Sequence, residues 1–405
     1  MSYRISGCQS CKGNVVKFLD LGNQPPPMVF GAGEAKEETT WPLEVGRCSH
    51  CGLVQNLFIV DPKLLFGAYQ YNSAATPSFR KHLDDLAETV TKRFSPKFVV
   101  DIGCNDGSLL ESFRQRGAVV LGVEPSEIAA LAKEKAIPVA NEFFTEKVAE
   151  EIVEAGGQAD IITATNVFGH VADLDGFVKG VHRLLKPEGV FVSEHTFLLD
   201  MIQKLEYDVV YHEHLRHYSL MSLHEVLSRR GFEIFDAERI PTFGGSIRVF
   251  AEKASATMRE NSPSMLAIGR QEDLAGLNRI VVYVDFAEKV KRSKVELNRL
   301  LYALKAEGRS IIGVGAPARA STLLGYCGID SDLLDYVAET SELKIGRTTP
   351  MTHIPVVSEE RIFADQPDYA LLLSWHLADF IIPSLRSKGY HGCFIVPLPS
   401  VKVIE

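Results

Sequence analysis

Apolar residues along this chain fall into short continuous runs separated by amphipathic stretches. Residues 98–102, 119–123, 160–164 and 189–193 are such runs, and each reads as a buried strand. Residues 126–135 and 174–185 between them carry helical spacing. Strands alternating with helices predict a parallel α/β sheet over residues 66–255, a Rossmann-like arrangement. A long charged helix is predicted over 282–307, after a polar interruption near 252–265. Four further runs follow it, at 310–314, 334–338, 370–374 and 392–396. They predict a second, smaller Rossmann-like domain over 256–405. Residues 1–65 differ: short apolar stretches, four cysteines, and Pro25-Pro26-Pro27, which cannot continue a helix. The expected order is a small N-terminal module, a central α/β domain and a C-terminal α/β domain.

The chain has 405 residues, which suits two or three cores rather than one. Hydrophobic residues make up 46% and charged residues 23%, the balance of a globular protein. No apolar run reaches membrane-span length, and the N-terminus lacks a signal-peptide core. The expectation is a cytoplasmic protein without a membrane partner, monomeric because three domains can cover one another. A net charge of −9 argues against a nucleic-acid partner.

Composition changes the picture most at the N-terminus. Cys8-x-x-Cys11 and Cys48-x-x-Cys51 form two knuckles that together complete a tetrahedral thiolate site. Four thiolates leave no open position, so the expected zinc is structural. Replacing one of them should lower stability before it touches chemistry. His50, inside the second knuckle, is expected to face solvent.

Asp101-Ile102-Gly103-Cys104-Asn105-Asp106-Gly107 follows a predicted strand and precedes a predicted helix. Nicotinamide folds use a tighter glycine triplet and place pyrophosphate on the helix N-terminus. An acidic residue and an Asn stand here instead. That suits a cofactor with an amino-acid end and no phosphate, S-adenosylmethionine. Glu124 ends the next strand, where a carboxylate can accept both ribose hydroxyls. Asn141 and Asn166 follow the third and fourth strands and are expected to edge the adenine and methionine pockets. Asp101, Gly103, Asn105 and Gly107 complete the expected cofactor set.

The densest polar cluster is Tyr211-His212-Glu213-His214, followed by Arg216, His217 and Tyr218. It lies beyond the carboxyl end of the 189–193 strand, where open α/β sheets bind ligands. Ionisable groups at such a place are candidates for acid–base work.

These features in order resemble the C-methyltransferases of deoxysugar biosynthesis, such as those for tetronitrose and mycarose. The resemblance runs through the paired cysteines, Tyr69-Gln70-Tyr71-Asn72-Ser73, 101–107, Asn166-Val167-Phe168-Gly169-His170, 211–214, Gly244-Gly245-Ser246-Ile247-Arg248 and 313–319. It implies a zinc module, a methyltransferase core, and a C-terminal Rossmann-like domain without a cofactor of its own. It implies a dTDP-linked 4-keto-6-deoxy sugar as substrate. It places Tyr71 (Tyr69 as the alternative), His170, Tyr211, Glu213 and His214 around the sugar. Three positions depart from the family pattern: Arg319-Ala320 replaces Lys-Gly, Ala74 replaces a second serine, and His376 replaces Asn after Trp375.

The implied chemistry is methylation of a carbon next to the ketone through an enolate; C3 and C5 both flank it, and C3 is favoured. His214 is the expected base, because imidazole titrates near neutrality. Tyr71, Tyr211 and His170 are expected donors to the oxyanion, and Glu213 is the alternative base or a sugar ligand. The nucleotide's phosphates need cations, for which Arg248 and Arg319 with Ser321 are the candidates. His212 and His217 are expected to be packed or solvent-facing. Competing readings are an RNA base methyltransferase with a zinc module, a methyltransferase-like binding protein, and an oxidoreductase using the C-terminal glycine loop.

Overall fold

The computed structural model describes residues 2–27, 38–66, 76–254 and 259–405. The N-terminal region holds β1 (Tyr3–Arg4), β2 (Val15–Gln24), β3 (Trp41–Cys48), β4 (Val54–Asn56), β5 (Phe58–Ile59) and α1 (Pro62–Phe66). The central region begins with α2 (Pro77–Phe94), β6 (Phe98–Ile102), α3 (Ser108–Gln115), β7 (Val119–Val123), α4 (Ala129–Glu134) and β8 (Val139–Ala140). It continues through α5 (Glu146–Gly156), β9 (Ala159–Thr165), α6 (Leu174–Leu184), β10 (Leu185–Thr196) and α7 (Leu198–Gln203). It ends with β11 (Arg216–His217), α8 (Leu220–Ser228), β12 (Phe232–Ile240) and β13 (Ser246–Lys253).

The C-terminal region starts with α9 (Pro263–Ala275) and α10 (Ile280–Ala306). There follow β14 (Ile311–Val314), α11 (Ala318–Cys327), β15 (Val337–Glu339), β16 (Val356–Ser358) and α12 (Glu360–Asp365). The last elements are β17 (Tyr369–Leu372), α13 (Ala378–Ser387), β18 (Cys393–Val396) and β19 (Lys402–Ile404).

The central sheet has the order β12-β13-β10-β9-β6-β7-β8. Its members β10, β9, β6, β7 and β8 run parallel, whereas β13 is antiparallel to both neighbours. Four of the five residues of β6 are buried, as a parallel strand covered on both faces requires. On α2, Leu83, Leu86, Ala87 and Val90 recur at helical spacing and pack onto that sheet with Val99, Leu109 and Phe113. The C-terminal sheet has the order β16-β15-β14-β17-β18-β19, parallel except for β19. In α10, Tyr283, Phe286, Val290, Leu297, Leu301 and Leu304 form one buried stripe.

Among the described residues, the N-terminal module has no core of its own. Leu19, Leu21, Leu43, Val45 and Val54 share a cluster with α10 and the C-terminal sheet. Cys8, Cys48, Cys51 and Leu53 share another with the central sheet. The module's sheet, β11-β4-β3-β2, takes its outer strand from residues 216–217 of the central region.

The hairpin of β12 and β13 turns through Gly244 and Gly245 at φ of 97° and 153°. A Cβ there would lie 2.6 Å from the Glu206 carboxylate and 2.5 Å from that of Asp200. The glycine pair therefore lets the turn pass against the acidic segment after β10 and brings Thr242 and Phe243 to the central cavity.

Candidate active site

A cavity of about 1320 Å³ opens at the carboxyl ends of the central strands. Asp101, Gly103, Asn105, Glu124 and Asn166 all line it. Gly103 has φ of 73°, and a Cβ would stand 2.3 Å from the Val167 side chain. Only glycine leaves that turn open. Every backbone N–H from Gly103 to Ser108 already has a protein acceptor. Gly103 and Cys104 donate to the Val123 carbonyl, and Gly107 donates to that of Cys104. Asn105 donates to Glu124 Oε2, Asp106 to Asn105 Oδ1 and Ser108 to Asp106 Oδ1. This loop therefore offers no amide cradle for a phosphate, and its side chains are acidic. Asp101 is fully buried and accepts from the Thr163 hydroxyl at 2.6 Å. Burial, with Glu124 and Glu194 near, pushes its carboxyl up to about 7. A cationic ligand end fits such a wall.

Two residues expected at the cofactor are set back from the cavity. The Asn141 amide donates to the carbonyls of Glu124 and Ser126, bracing the turn that carries Glu124. Gly107 caps α3 and packs on Ala132 and Ile137. Neither lines the cavity.

Tyr211, Glu213, His214 and His170 meet on the same cavity. The His214 ring lies 3.9 Å from that of Tyr211 and 5.0 Å from that of His170, centroid to centroid. His214 Nδ1 donates to the Val209 carbonyl at 2.7 Å, a bond that leaves the lone pair on Nε2. Burial holds His214 well below the usual imidazole range and brings His170 down to about 4. Both rings are neutral at pH 7. Burial pushes the Glu213 carboxyl up to about 8, and its Oε1 has no hydrogen-bond partner among the described residues. Tyr69 and Tyr71 lie outside the described residues.

The N-terminal module holds this cluster from behind. The Asn56 side chain donates to the Tyr211 carbonyl at 3.0 Å, and its backbone N–H donates to Leu215 at 2.9 Å. His212 is buried, with Nε2 3.1 Å from the Gln24 carbonyl and its ring edge-on to Trp41. His217 is buried in β11, which pairs with β4. His50 is exposed.

The far wall comes from the C-terminal region: Pro317, Ala318, Arg319, Lys344, Ser374 and His376. Three expected phosphate ligands are otherwise engaged. Arg248 is buried, with Nε on Glu194 at 2.7 Å and Nη1 on Glu238 at 3.2 Å, off the cavity wall. The Ser321 hydroxyl donates to the Pro27 carbonyl at 2.9 Å, away from the cavity. Arg319 reaches the wall, but Nε and Nη2 both bind the Asp208 carboxylate at 2.8 Å. Trp375 Nε1 donates to the same carboxylate at 2.7 Å. Sequence reasoning missed Phe79, His82, Phe243 and Lys344 on the cavity wall. Nothing in their local pattern separates them from a helix face or a loop.

Comparison with known proteins decides the family. A C-methyltransferase C-terminal domain model matches residues 241–399, a methyltransferase domain model 72–237, and a zinc binding domain model 8–66. C-methyltransferase NovU of Streptomyces niveus is 32% identical over 99% of this chain and 97% of its own length. The chain belongs to the C-methyltransferase family. A ubiquinone biosynthesis O-methyltransferase of Escherichia coli is 38% identical over 27% of this chain and 46% of its own. A solved S-adenosylmethionine-dependent methyltransferase from Clostridium acetobutylicum aligns at TM-score 0.35 and 15% identity, covering 43% of this chain and 92% of that one. As a member of that family, matched by a methyltransferase domain model, this chain takes S-adenosylmethionine as methyl donor and carries a four-cysteine zinc module. The structure suits both. The open turn at Gly103, the occupied amides and the acidic wall accommodate a cationic cofactor without phosphates. Cys8, Cys11, Cys48 and Cys51 bring their sulfurs within 4.8 Å of one another, as tetrahedral thiolate ligation requires. Backbone N–H groups of Ser10, Cys11, Gly13, His50 and Cys51 point at these sulfurs. They orient the thiolates in the way outer partners of metal sites do.

Proposed function

We propose that this C-methyltransferase acts on a nucleotide-linked 4-keto-deoxysugar, methylating the carbon next to the ketone after its deprotonation. C3 as the position and dTDP as the nucleotide follow the family resemblance. The supporting observation is a neutral His214 on a wall shared with the cofactor loop, its Nδ1 fixed on Val209. When bound, S-adenosylmethionine supplies an electrophilic methyl on a sulfonium centre. His214 Nε2 takes the proton as the sugar's C–H bond breaks, and the electron pair moves onto the ketone oxygen. Tyr211 and His170 stand beside His214 to stabilise that oxyanion, with Tyr71 as a third donor. The pair then returns from the oxygen as the carbon bonds the methyl; the S–CH3 bond would break with its pair left on sulfur, giving a neutral thioether that leaves, and His214 returns its proton to solvent. A positioned base contributes about 10²–10⁴-fold. Glu213, pushed up to about 8, stays protonated at neutral pH and donates to the sugar.

Lys344 is the diphosphate partner in this reading: its Nζ donates to the Ala316 carbonyl at 2.9 Å and lies 3.7 Å from Glu339, contacts it exchanges for the phosphate, whereas Arg319 is held bidentately by Asp208. A nicotinamide at the C-terminal glycine loop is disfavoured: the Ala316 N–H already donates to Glu339 at 2.9 Å. The acidic net charge favours a sugar nucleotide over RNA.

The test is mass spectrometry of a nucleotide-sugar panel, with the methyl donor and, separately, in deuterated buffer without it. A 4-keto-deoxysugar should gain one methyl in the first arm and one deuterium next to the ketone in the second. His214→Asn should lose both by about 10²-fold or more. If His214→Asn exchanges normally and Glu213→Gln does not, Glu213 is the base. Methylation of RNA alone would discard the sugar.

A further inference from the structure

α2 sends two rings, Phe79 and His82, into the cavity that the chemistry above does not use. His82 lines the cavity while its Nε2 stands 2.8 Å from Glu194 Oε2. Glu194 ends the run of β10 that pairs with β9, and its side chain is fully buried. Arg248 Nε holds the other carboxylate oxygen at 2.7 Å. Burial alone would raise the Glu194 carboxyl, yet His82 and Arg248 hold it below the usual range. Phe79 stacks on the His82 ring at 5.6 Å and 23°. The imidazole is thus pinned on one edge and one face, and among the described residues Nδ1 has no hydrogen-bond partner.

Its position relative to the cofactor loop is set by packing. The next residue on α2, Leu83, shares a core with Leu109 of the first turn of α3, and both line the cavity. The backbone carbonyl of Glu194 accepts from Asn166 N–H. His82 therefore sits between the loop after β6 and the end of β9.

S-adenosylmethionine carries a sulfonium, an ammonium and one carboxylate. The acidic wall of Asp101 suits the two cations, with Glu124 at the ribose, and both carboxylates repel that of the ligand. The loop's own amides from Gly103 to Ser108 are all occupied. Lys135, which reaches this loop, is held by Asp106 at 2.9 Å. Lys81 and Lys147 are exposed and paired with Asp85 and Glu151. We propose that His82, anchored by the Glu194–Arg248 pair, is a cofactor-binding residue that donates Nδ1–H to the methionine carboxylate. With Glu194 accepting on the Nε2 edge, the ligand carboxylate accepts on the Nδ1 edge. Glu194 and Arg248 are positioning residues: they fix the ring and do not touch the cofactor.

The inference rests on the cofactor reading of the Asp101–Glu124 wall, and the test separates the two. Calorimetry is run on the full chain with S-adenosylmethionine and with its decarboxylated analogue, which keeps the sulfonium and the amine. Wild type should prefer the carboxylated ligand by about 10-fold or more. His82→Ala should weaken S-adenosylmethionine by that factor and leave the analogue within about 3-fold, so that the preference collapses. His82→Lys should restore part of it. Measuring both ligands on one sample guards against a folding defect, which lowers both together. An unchanged ratio in His82→Ala overturns the proposal, whether both affinities hold or both fall. Wild type that binds neither ligand overturns the cofactor placement and this inference with it.

Discussion

Asp101 shows how a residue legible from sequence takes its meaning from burial. Its side chain is pushed up to about 7 in a wall shared with Glu124. A sulfonium beside it favours the ionised form and pulls that value down. Binding therefore releases a proton, and affinity rises with pH. Between pH 6 and about 7.5, S-adenosylmethionine should bind more tightly with each step up, approaching tenfold per unit at the limit. Above that range the cofactor's own amine begins to lose its charge, near about 8, and works against the trend. Asp101→Asn should bind more weakly and flatten the dependence. Calorimetry in two buffers of different ionisation heat counts the proton; no release by wild type sinks the assignment. The carboxylate, the glycine turn and Glu124 were readable because each sits at a fixed offset from a strand end. Phe79 and His82 were not, because α2 looks like any polar helix until its tertiary neighbours are known. Arg248 was misplaced for a related reason. A guanidinium in a glycine-flanked motif looks free to meet phosphate, and only the sheet reveals Glu194 directly across the strand.

Among elements, the parallel strands were the most legible, because burial on both faces leaves continuous apolar runs. The β12–β13 hairpin escaped the same reading. Asp236, Glu238, Arg248, Glu252 and Lys253 interrupt its pattern, and they are tolerated because most pair with charges or carbonyls nearby. The run at 334–338 shifts to Val337–Glu339, since Leu333 and Leu334 are buried as loop residues instead. The segment after α7 carries the sharpest consequence. Asp208 follows Tyr207 and meets Arg319 and Trp375 across the boundary between the central and C-terminal regions. Glu206, pushed up to about 7 by burial and drawn back by Arg319, lies beside them. Removing the guanidinium leaves carboxylates buried without a cation, which costs about 3–5 kcal/mol. Arg319→Leu should therefore lower the melting temperature clearly, and Asp208→Asn on that background should recover part of the loss. Thermal unfolding by calorimetry checks both. Wild-type stability together with a weakened nucleotide-sugar affinity would return Arg319 to phosphate binding.

At the scale of the whole molecule, the zinc module is the element whose role changes most between sequence and structure. Its cysteine spacing announced the metal, and a short loop around a closed site suggested a stabiliser remote from the chemistry. The packing says otherwise. The module contributes to the cores of both larger regions, and its sheet includes Arg216 and His217, directly after the Tyr211–His214 cluster. Asn56 and Gln24 hold the backbone and ring of the same segment. Among the described residues, the cofactor loop, by contrast, is built from β6, α3 and β7, and none of its backbone N–H groups donates to these module residues. Metal loss should then act unequally on the two halves of the site. Purified protein should hold about one zinc per chain, and a strong chelator or Cys48→Ser should remove it. The zinc-free protein should melt at a lower temperature and lose the base cluster's geometry first. S-adenosylmethionine affinity should stay within about threefold, while proton exchange and methyl transfer fall by about tenfold or more, a split that global unfolding cannot produce. Hydrogen exchange by mass spectrometry should show residues 211–217 and β4 losing protection ahead of β6 and α3. Equal loss of cofactor binding and catalysis would mean that the metal supports the whole fold. Full activity without zinc would mean that β4 and Asn56 hold the cluster unaided.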